Sequence, residues 1–106
     1  MDTIFKYELV GNFGDKHCTT VPLGSRVLDI EFQGDVIYLW AIVDTNYEQK
    51  YVYKKTEELV FEIYGTGWEI TDPDRLTHVK TLHVNDYVWH VFKRLPKNFS
   101  AGLKLA

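Results

Sequence analysis

Apolar and polar residues alternate with a period of two along most of this chain, most cleanly from Arg26 to Asp44. Two runs, RVLDIEFQ and VIYLWAIVD, flank Gly34-Asp35, and a two-residue loop opening with glycine suits a type II′ hairpin turn. That turn sets the register: Gln33 faces Val36, Phe32 faces Ile37, Glu31 faces Tyr38, Ile30 faces Leu39, Asp29 faces Trp40, Leu28 faces Ala41 and Val27 faces Ile42. Side chains alternate across a strand, so Leu28, Ile30, Phe32, Ile37, Leu39, Ala41 and Val43 share one face, which reads as core. The other face carries Asp29, Glu31, Tyr38 and Trp40 beside Val27 and Ile42, an acidic and aromatic mixture.

The rest of the chain repeats this language. Ile4 to Leu9 alternates, with Phe5, Tyr7 and Leu9 on one side and Lys6 and Glu8 on the other, the pattern of a half-buried strand. Residues 11–15 are turn chemistry. Cys18 to Val21 reads as a short strand closed by Pro22, and residues 22–25 as a turn. Residues 45–50 are polar and read as a loop, and Tyr51-Val52-Tyr53 reads as a strand extension or as part of a longer excursion. Glu57 to Tyr64 alternates again, setting Leu59, Phe61 and Ile63 against Val60, Glu62 and Tyr64. Residues 64–70 turn the chain, and Pro73 lies in a loop because it cannot donate to a ladder. Leu76 to Val84 and Tyr87 to Phe92 form a second hairpin across Asn85-Asp86, in which His83 faces Val88, Leu82 faces Trp89 and Thr81 faces His90. Six or seven strands follow, with no internal repeat in the sequence. The expected fold is all-β or β-rich α+β: a single small twisted antiparallel sheet, a sandwich or a partly closed barrel. Residues 1–95 read as one β-rich domain and 96–106 as a C-terminal tail, frayed or forming a short helical cap.

Composition narrows the function more than the fold. A chain of 106 residues has room for one core and not for separate catalytic and regulatory domains. Its net charge of −3 disfavours a nucleic-acid backbone as partner, and pairs such as Lys93-Arg94 read as solvated positions. Cys18 is the single cysteine, which with no signal-like apolar start points to a reducing cytoplasm. No apolar run approaches the roughly 20 residues that span a bilayer, so no membrane partner is expected.

Each candidate site has a bland counterpart. Gly65-Thr66-Gly67 suits an anion-binding turn of backbone N–H groups, or simply a bend that glycine alone fits. It lacks the helix and Lys of a nucleotide-binding loop. His17, His78, His83 and His90 with Cys18 lack metal-ligand spacing, so neither metal nor cofactor is expected. A Cys–His nucleophile lacks a third orienting group, so no catalytic residue is assigned. The aromatics Tyr38, Trp40, Tyr64, Trp68, Tyr87 and Trp89 are core packing, or rings on which a purine stacks or a protein partner anchors. Asp29 and Glu31 beside Trp40 suit hydrogen bonds to a base or contact with a basic protein surface, and equally an acidic solvated edge.

Five blocks taken in order carry a resemblance: Phe5-Lys6-Tyr7-Glu8-Leu9; Val21-Pro22-Leu23-Gly24 ahead of Val27-Leu28; Leu39-Trp40-Ala41-Ile42-Val43-Asp44; Phe61-Glu62-Ile63-Tyr64-Gly65-Thr66-Gly67; and Val88-Trp89-His90-Val91-Phe92. From Ile4 to Phe92 the chain resembles a family of small, functionally uncharacterised proteins found largely in bacteriophages and prophage-bearing bacteria. It departs in carrying Trp68 where the family often has His, and in a longer segment from Tyr47 to Glu58. The resemblance implies a phage setting, a compact β-rich fold and no reaction. The expectation is a non-enzymatic accessory or counter-defence protein in the host bacterial cytoplasm. It sequesters a small nucleotide-like ligand through Tyr38, Trp40, Tyr64, Gly65, Thr66, Gly67 and Trp68. The alternative is an inhibitor or adaptor that binds a host protein through Asp29, Glu31 and Trp40, with homo-oligomerisation open.

Overall fold

A computed structural model describes residues 1–44 and 55–95. The loop expected over residues 45–50, the strand at 51–53 and the tail at 96–106 lie outside the described residues. The fold is all-β: β1 (Asp2–Gly11), β2 (Lys16–Pro22), β3 (Arg26–Gln33), β4 (Val36–Asp44), β5 (Thr56–Gly65), β6 (Leu76–Val84) and β7 (Tyr87–Arg94), with one 3₁₀ turn at Pro73–Arg75. The strands form a single antiparallel sheet in the order β3-β4-β1-β2-β5-β7-β6. By contacts the chain divides into two compact units. The first comprises Met1–Val10 and Cys18–Leu59, the second Gly11–His17 and Val60–Ala106.

The first unit is organised by the β3–β4 hairpin. Gly34 adopts φ 64°, the positive angle that a II′ turn requires at its first position and that glycine takes without penalty. From Gln33↔Val36 to Asp29↔Trp40 the pairing is the one the turn dictates. Beyond it the register slips. Val27 faces Ala41 and Arg26 faces Ile42, so Leu28 is an extra, bulged residue, 45% exposed, and not part of the core face. The bulge returns Val27 to the inner side and sends Arg26 outward. β1 lies on the other side of β4, with Leu9 opposite Ile37, Tyr7 opposite Leu39 and Phe5 opposite Ala41. Leu9, Val21, Ile30, Ile37, Leu39, Ala41 and Val43 are all buried. Each large side chain among them contributes about 1.5–3 kcal/mol of transfer free energy.

The second unit repeats the device. Asn85 opens the β6–β7 turn at φ 54°, where Asn is one of the few non-glycine residues tolerated. Pairing then runs Val84↔Tyr87, His83↔Val88, Leu82↔Trp89 and Thr81↔His90 before Val79 bulges out between His78 and Lys80, 40% exposed. β5 packs on the far side of β7, with Glu62 opposite Phe92, Ile63 opposite Val91 and Gly65 opposite Trp89. Thus each unit holds a hairpin bulged six residues before its turn and a third strand paired to the hairpin's second strand. This is a repetition of architecture that the sequence does not display. Phe61, Ile63, Leu82 and Val91 form the buried apolar set of this unit, and Glu62 and Tyr64 are buried on the other side of β5.

Candidate aromatic cleft

The Gly65-Thr66-Gly67-Trp68 segment is a tight turn. Gly67 takes φ 90°, and the Trp68 N–H donates to the Gly65 carbonyl at 3.1 Å. The indole of Trp68 folds back over the backbone so closely that a Cβ on Gly65 would sit 2.9 Å from its Nε1. A side chain at position 65 would therefore require the indole three residues later to shift. β7 supplies the facing wall through Tyr87 and Trp89, side chains two apart and hence on one face. Trp68 meets Trp89 edge-on at 5.3 Å and 87°, while Tyr87 lies nearly parallel to Trp89 at 6.3 Å and 25°. Phe13, from the β1–β2 turn, stacks on Trp89 at 4.2 Å and holds that ring in place. Together the Gly65-Thr66 backbone, Trp68, Tyr87, Val88, Trp89 and Asp86 line a cleft of about 420 Å³, within the size range of small-molecule sites.

The turn is not an open anion cradle. The Thr66 N–H donates to the Val88 carbonyl at 3.2 Å, the Trp68 N–H is taken by Gly65, and the Thr66 hydroxyl is hydrogen-bonded to His90 Nε2 at 2.8 Å. The His90 Nδ1 reaches the Thr81 hydroxyl at 3.3 Å, and that hydroxyl contacts His78 Nε2 at 2.9 Å. A line of alternating hydroxyls and imidazoles therefore runs from the turn along the β6–β7 ribbon. Among the described residues Asp86 is the only charged one lining the cleft, and its carboxylate has no hydrogen-bond or ion-pair partner there.

Beside this cleft the second unit has a polar one of about 410 Å³, lined by Lys16, Glu62, Tyr64, Arg75 and Arg94 among others. The Arg94 guanidinium forks onto Glu62, with Nε on Oε2 and Nη2 on Oε1 at 2.8 Å. It also donates to the carbonyls of Thr71 at 2.7 Å and Asp72 at 3.2 Å. The Tyr64 hydroxyl donates to Glu62 Oε1 at 2.5 Å. Hydrogen bonding to Arg94 is the main reason the Glu62 carboxyl lies below its ordinary range. Burial, and then Glu62, push the Tyr64 phenol up. Arg94 is thus no solvated position. It ties β5 and β7 to the loop that carries Asp72 in the left-handed region, φ 49°. Arg94, Glu62 and Tyr64 answer one another and read as a structural joint, while Arg75 Nε in the same cleft is buried with no hydrogen-bond partner among the described residues.

The residues expected to bind ligand do not gather as one set. Gly65, Thr66 and Trp68 line the aromatic cleft, Gly67 completes its turn, and Tyr64 points away into the Arg94 joint. Tyr38 and Trp40 belong to the first unit, where they pair at 6.4 Å. There the Lys6 ammonium sits 4.0 Å over the Tyr38 ring and 5.9 Å from that of Trp40, its end hydrogen-bonded to Gln33. The acidic aromatic face of β3 and β4, with Asp29 and Glu31, is therefore mixed in charge, carrying Lys6 opposite Trp40 and Arg26 opposite Ile42. Of the lining residues, Tyr87 and Trp89 are candidate aromatics that the expected binding set omits, and Asp86 and Val88 are ones that sequence reasoning leaves out altogether. Their signal was the turn position of the one and the β7 pattern of the other. Among the described residues no group of three His, Cys, Asp or Glu is arranged to hold a metal ion, and no helix is long and apolar enough to cross a membrane. Residues 1–100 match a family described as a domain of unknown function (DUF7352). No curated protein and no solved structure matches the chain.

Proposed function

We propose that this chain, which belongs to the DUF7352 family, is a non-enzymatic binding protein that sequesters a small, flat, nucleobase-bearing ligand in the Trp68–Trp89 cleft. The observation that carries this reading is the corner of two tryptophans with Tyr87 beside it over the narrow Gly65-Thr66 backbone. Rings fixed in this way are pre-organised stacking surfaces, and stacking a base on such a surface is worth about 1–3 kcal/mol. The ligand is held by its base and not by a phosphate, because the Thr66 and Trp68 amides and the Thr66 hydroxyl already have partners. A phage-encoded accessory or counter-defence protein that removes a nucleotide-like signal from the host cytoplasm is the biological role that the block pattern of the sequence favours.

A nucleoside panel read by melting temperature and tryptophan fluorescence tests this. A true ligand at one hundred times Kd adds about 2.7 kcal/mol of stability. Trp68→Leu abolishes the shift, while Trp40→Leu in the other unit leaves it. No response across the panel, or loss with Trp40→Leu alone, overturns the reading.

A second reading, an inhibitor or adaptor of a host protein, is supported by the outer face of the first unit. Ile4 and Val10 are exposed there on the same side of β1 as Lys6, beside Trp40, Asp29 and Glu31. A pull-down that recovers one stoichiometric partner, lost on Trp40→Ala in a protein that still folds, would replace the first reading with this one.

A further inference from the structure

We infer that the ligand of the aromatic cleft is a flat cation, an N-alkylated or protonated nucleobase and not a neutral base or a phosphate ester. The inference rests on the cleft being a ligand site and adds its charge selectivity. Three aromatic rings wall the space, and Trp68 and Trp89 stand at 87° to one another, so a group lodged in the corner between them lies over ring faces. Ring faces carry the negative lobe of the aromatic quadrupole and attract a cation within about 6 Å of the centroid. Among the described residues the single formal charge on the lining is the carboxylate of Asp86, which is unpaired, and neither Lys nor Arg lines the cleft. A phosphate placed there meets that carboxylate, while the donors that would hold it, the Thr66 and Trp68 amides and the Thr66 hydroxyl, are already engaged.

The same chemistry is used inside the first unit. There an ammonium, Lys6, sits over Tyr38 and near Trp40, with Gln33 accepting from it. In the second unit the aromatic corner and the acceptor are present, and no cation among the described residues lines them. Delocalised or methylated cations suit such a corner better than a primary ammonium, because they are more weakly hydrated and lose less on leaving water.

The test compares matched pairs on the intact chain by fluorescence titration and thermal shift: 1-methyladenosine, cationic at neutral pH, against adenosine, and choline against its neutral carbon isostere. The cationic nucleoside binds about tenfold or more tighter than its neutral partner. That advantage falls with added salt and on Asp86→Asn, a change in an exposed turn that leaves the melting temperature near the parent's. Adenosine binding as tightly as 1-methyladenosine overturns the inference while leaving the cleft a base-binding site. Choline discriminated from its isostere with neither nucleoside bound overturns the nucleobase assignment. Silence from every probe overturns the inference and the ligand reading together.

Discussion

Replacing Arg94 with Met keeps most of the aliphatic stem and removes the guanidinium that holds Glu62. In the parent that carboxylate is 7% exposed as a residue and receives hydrogen bonds from both Arg94 and Tyr64. In the variant it retains Tyr64 alone, and the carbonyls of Thr71 and Asp72 lose a donor. Breaking a buried pair by removing one partner costs about 3–5 kcal/mol. Arg94 keeps some contact with water, so the expected loss is about 2–4 kcal/mol, measured by urea denaturation at pH 7. Two further measurements separate charge from packing. In the double variant Glu62→Gln/Arg94→Met the stranded charge is gone, and part of the loss returns. The penalty also depends on pH. In the parent, Arg94 lowers the Glu62 pKa, so the pair's contribution is complete above the unfolded carboxylate value of about 4.3 and is lost as pH falls through the lower folded value. In the variant burial acts without Arg94, Glu62 takes a proton more readily, and the gap between variant and parent narrows from pH 7 toward pH 4. A penalty that stays constant over that range and is not relieved in the double variant would refute the stranded-charge account and leave lost packing as the cause.

Other outcomes follow from single positions. Gly11→Ala places a Cβ 1.8 Å from the Lys16 carbonyl oxygen, a backbone clash; it should cost several kcal/mol, more than about 3, in chemical denaturation. Leu28→Ser on the exposed bulge should change stability by less than about 0.5 kcal/mol, whereas Ile30→Ala, 1% exposed two residues later, should cost about 2–5 kcal/mol. His17 is buried with Nδ1 lacking a hydrogen-bond partner among the described residues, and burial lowers its pKa. Its neutral form is favoured in the folded state, so stability is full above the unfolded value of about 6.5 and declines as pH falls below it. His17→Leu should flatten the melting-temperature profile between pH 7 and 5, and an unchanged slope would assign the acid sensitivity elsewhere.

The hairpins were legible because a two-residue turn fixes register for as long as pairing is regular, from Gln33↔Val36 back to Asp29↔Trp40 and from Val84↔Tyr87 back to Thr81↔His90. The bulges at Leu28 and Val79 were not. Each is an extra residue beside another aliphatic or neutral position, and a period-two pattern leaves unmarked which neighbour is expelled. The site was legible in its parts and not in its assembly. Gly65-Thr66-Gly67-Trp68 and Tyr87 to Trp89 both stood out, but what joins them is the pairing of β5 with β7, a contact between distant segments. No local pattern reports such a contact. For the same reason the sequence alone groups Tyr38 and Trp40 with Trp68, although they belong to another unit and have Lys6 above them. Beside Lys93, Arg94 reads as a solvated position in the sequence. The available signal was Glu62, a charge set within the apolar run Val60 to Tyr64, which needs a counter-ion from somewhere.

The bulged strands β3 and β6 are the first and last in the strand order. An incoming strand, whether from a second copy or from an unfolded neighbour, needs an unbroken row of evenly spaced amides and carbonyls to zip against. At Leu28 and at Val79 that row is interrupted and locally overtwisted. Crowding many copies together should therefore not seed fibrils through these ribbons, and straightening one of them by deleting its extra residue should make the protein sticky.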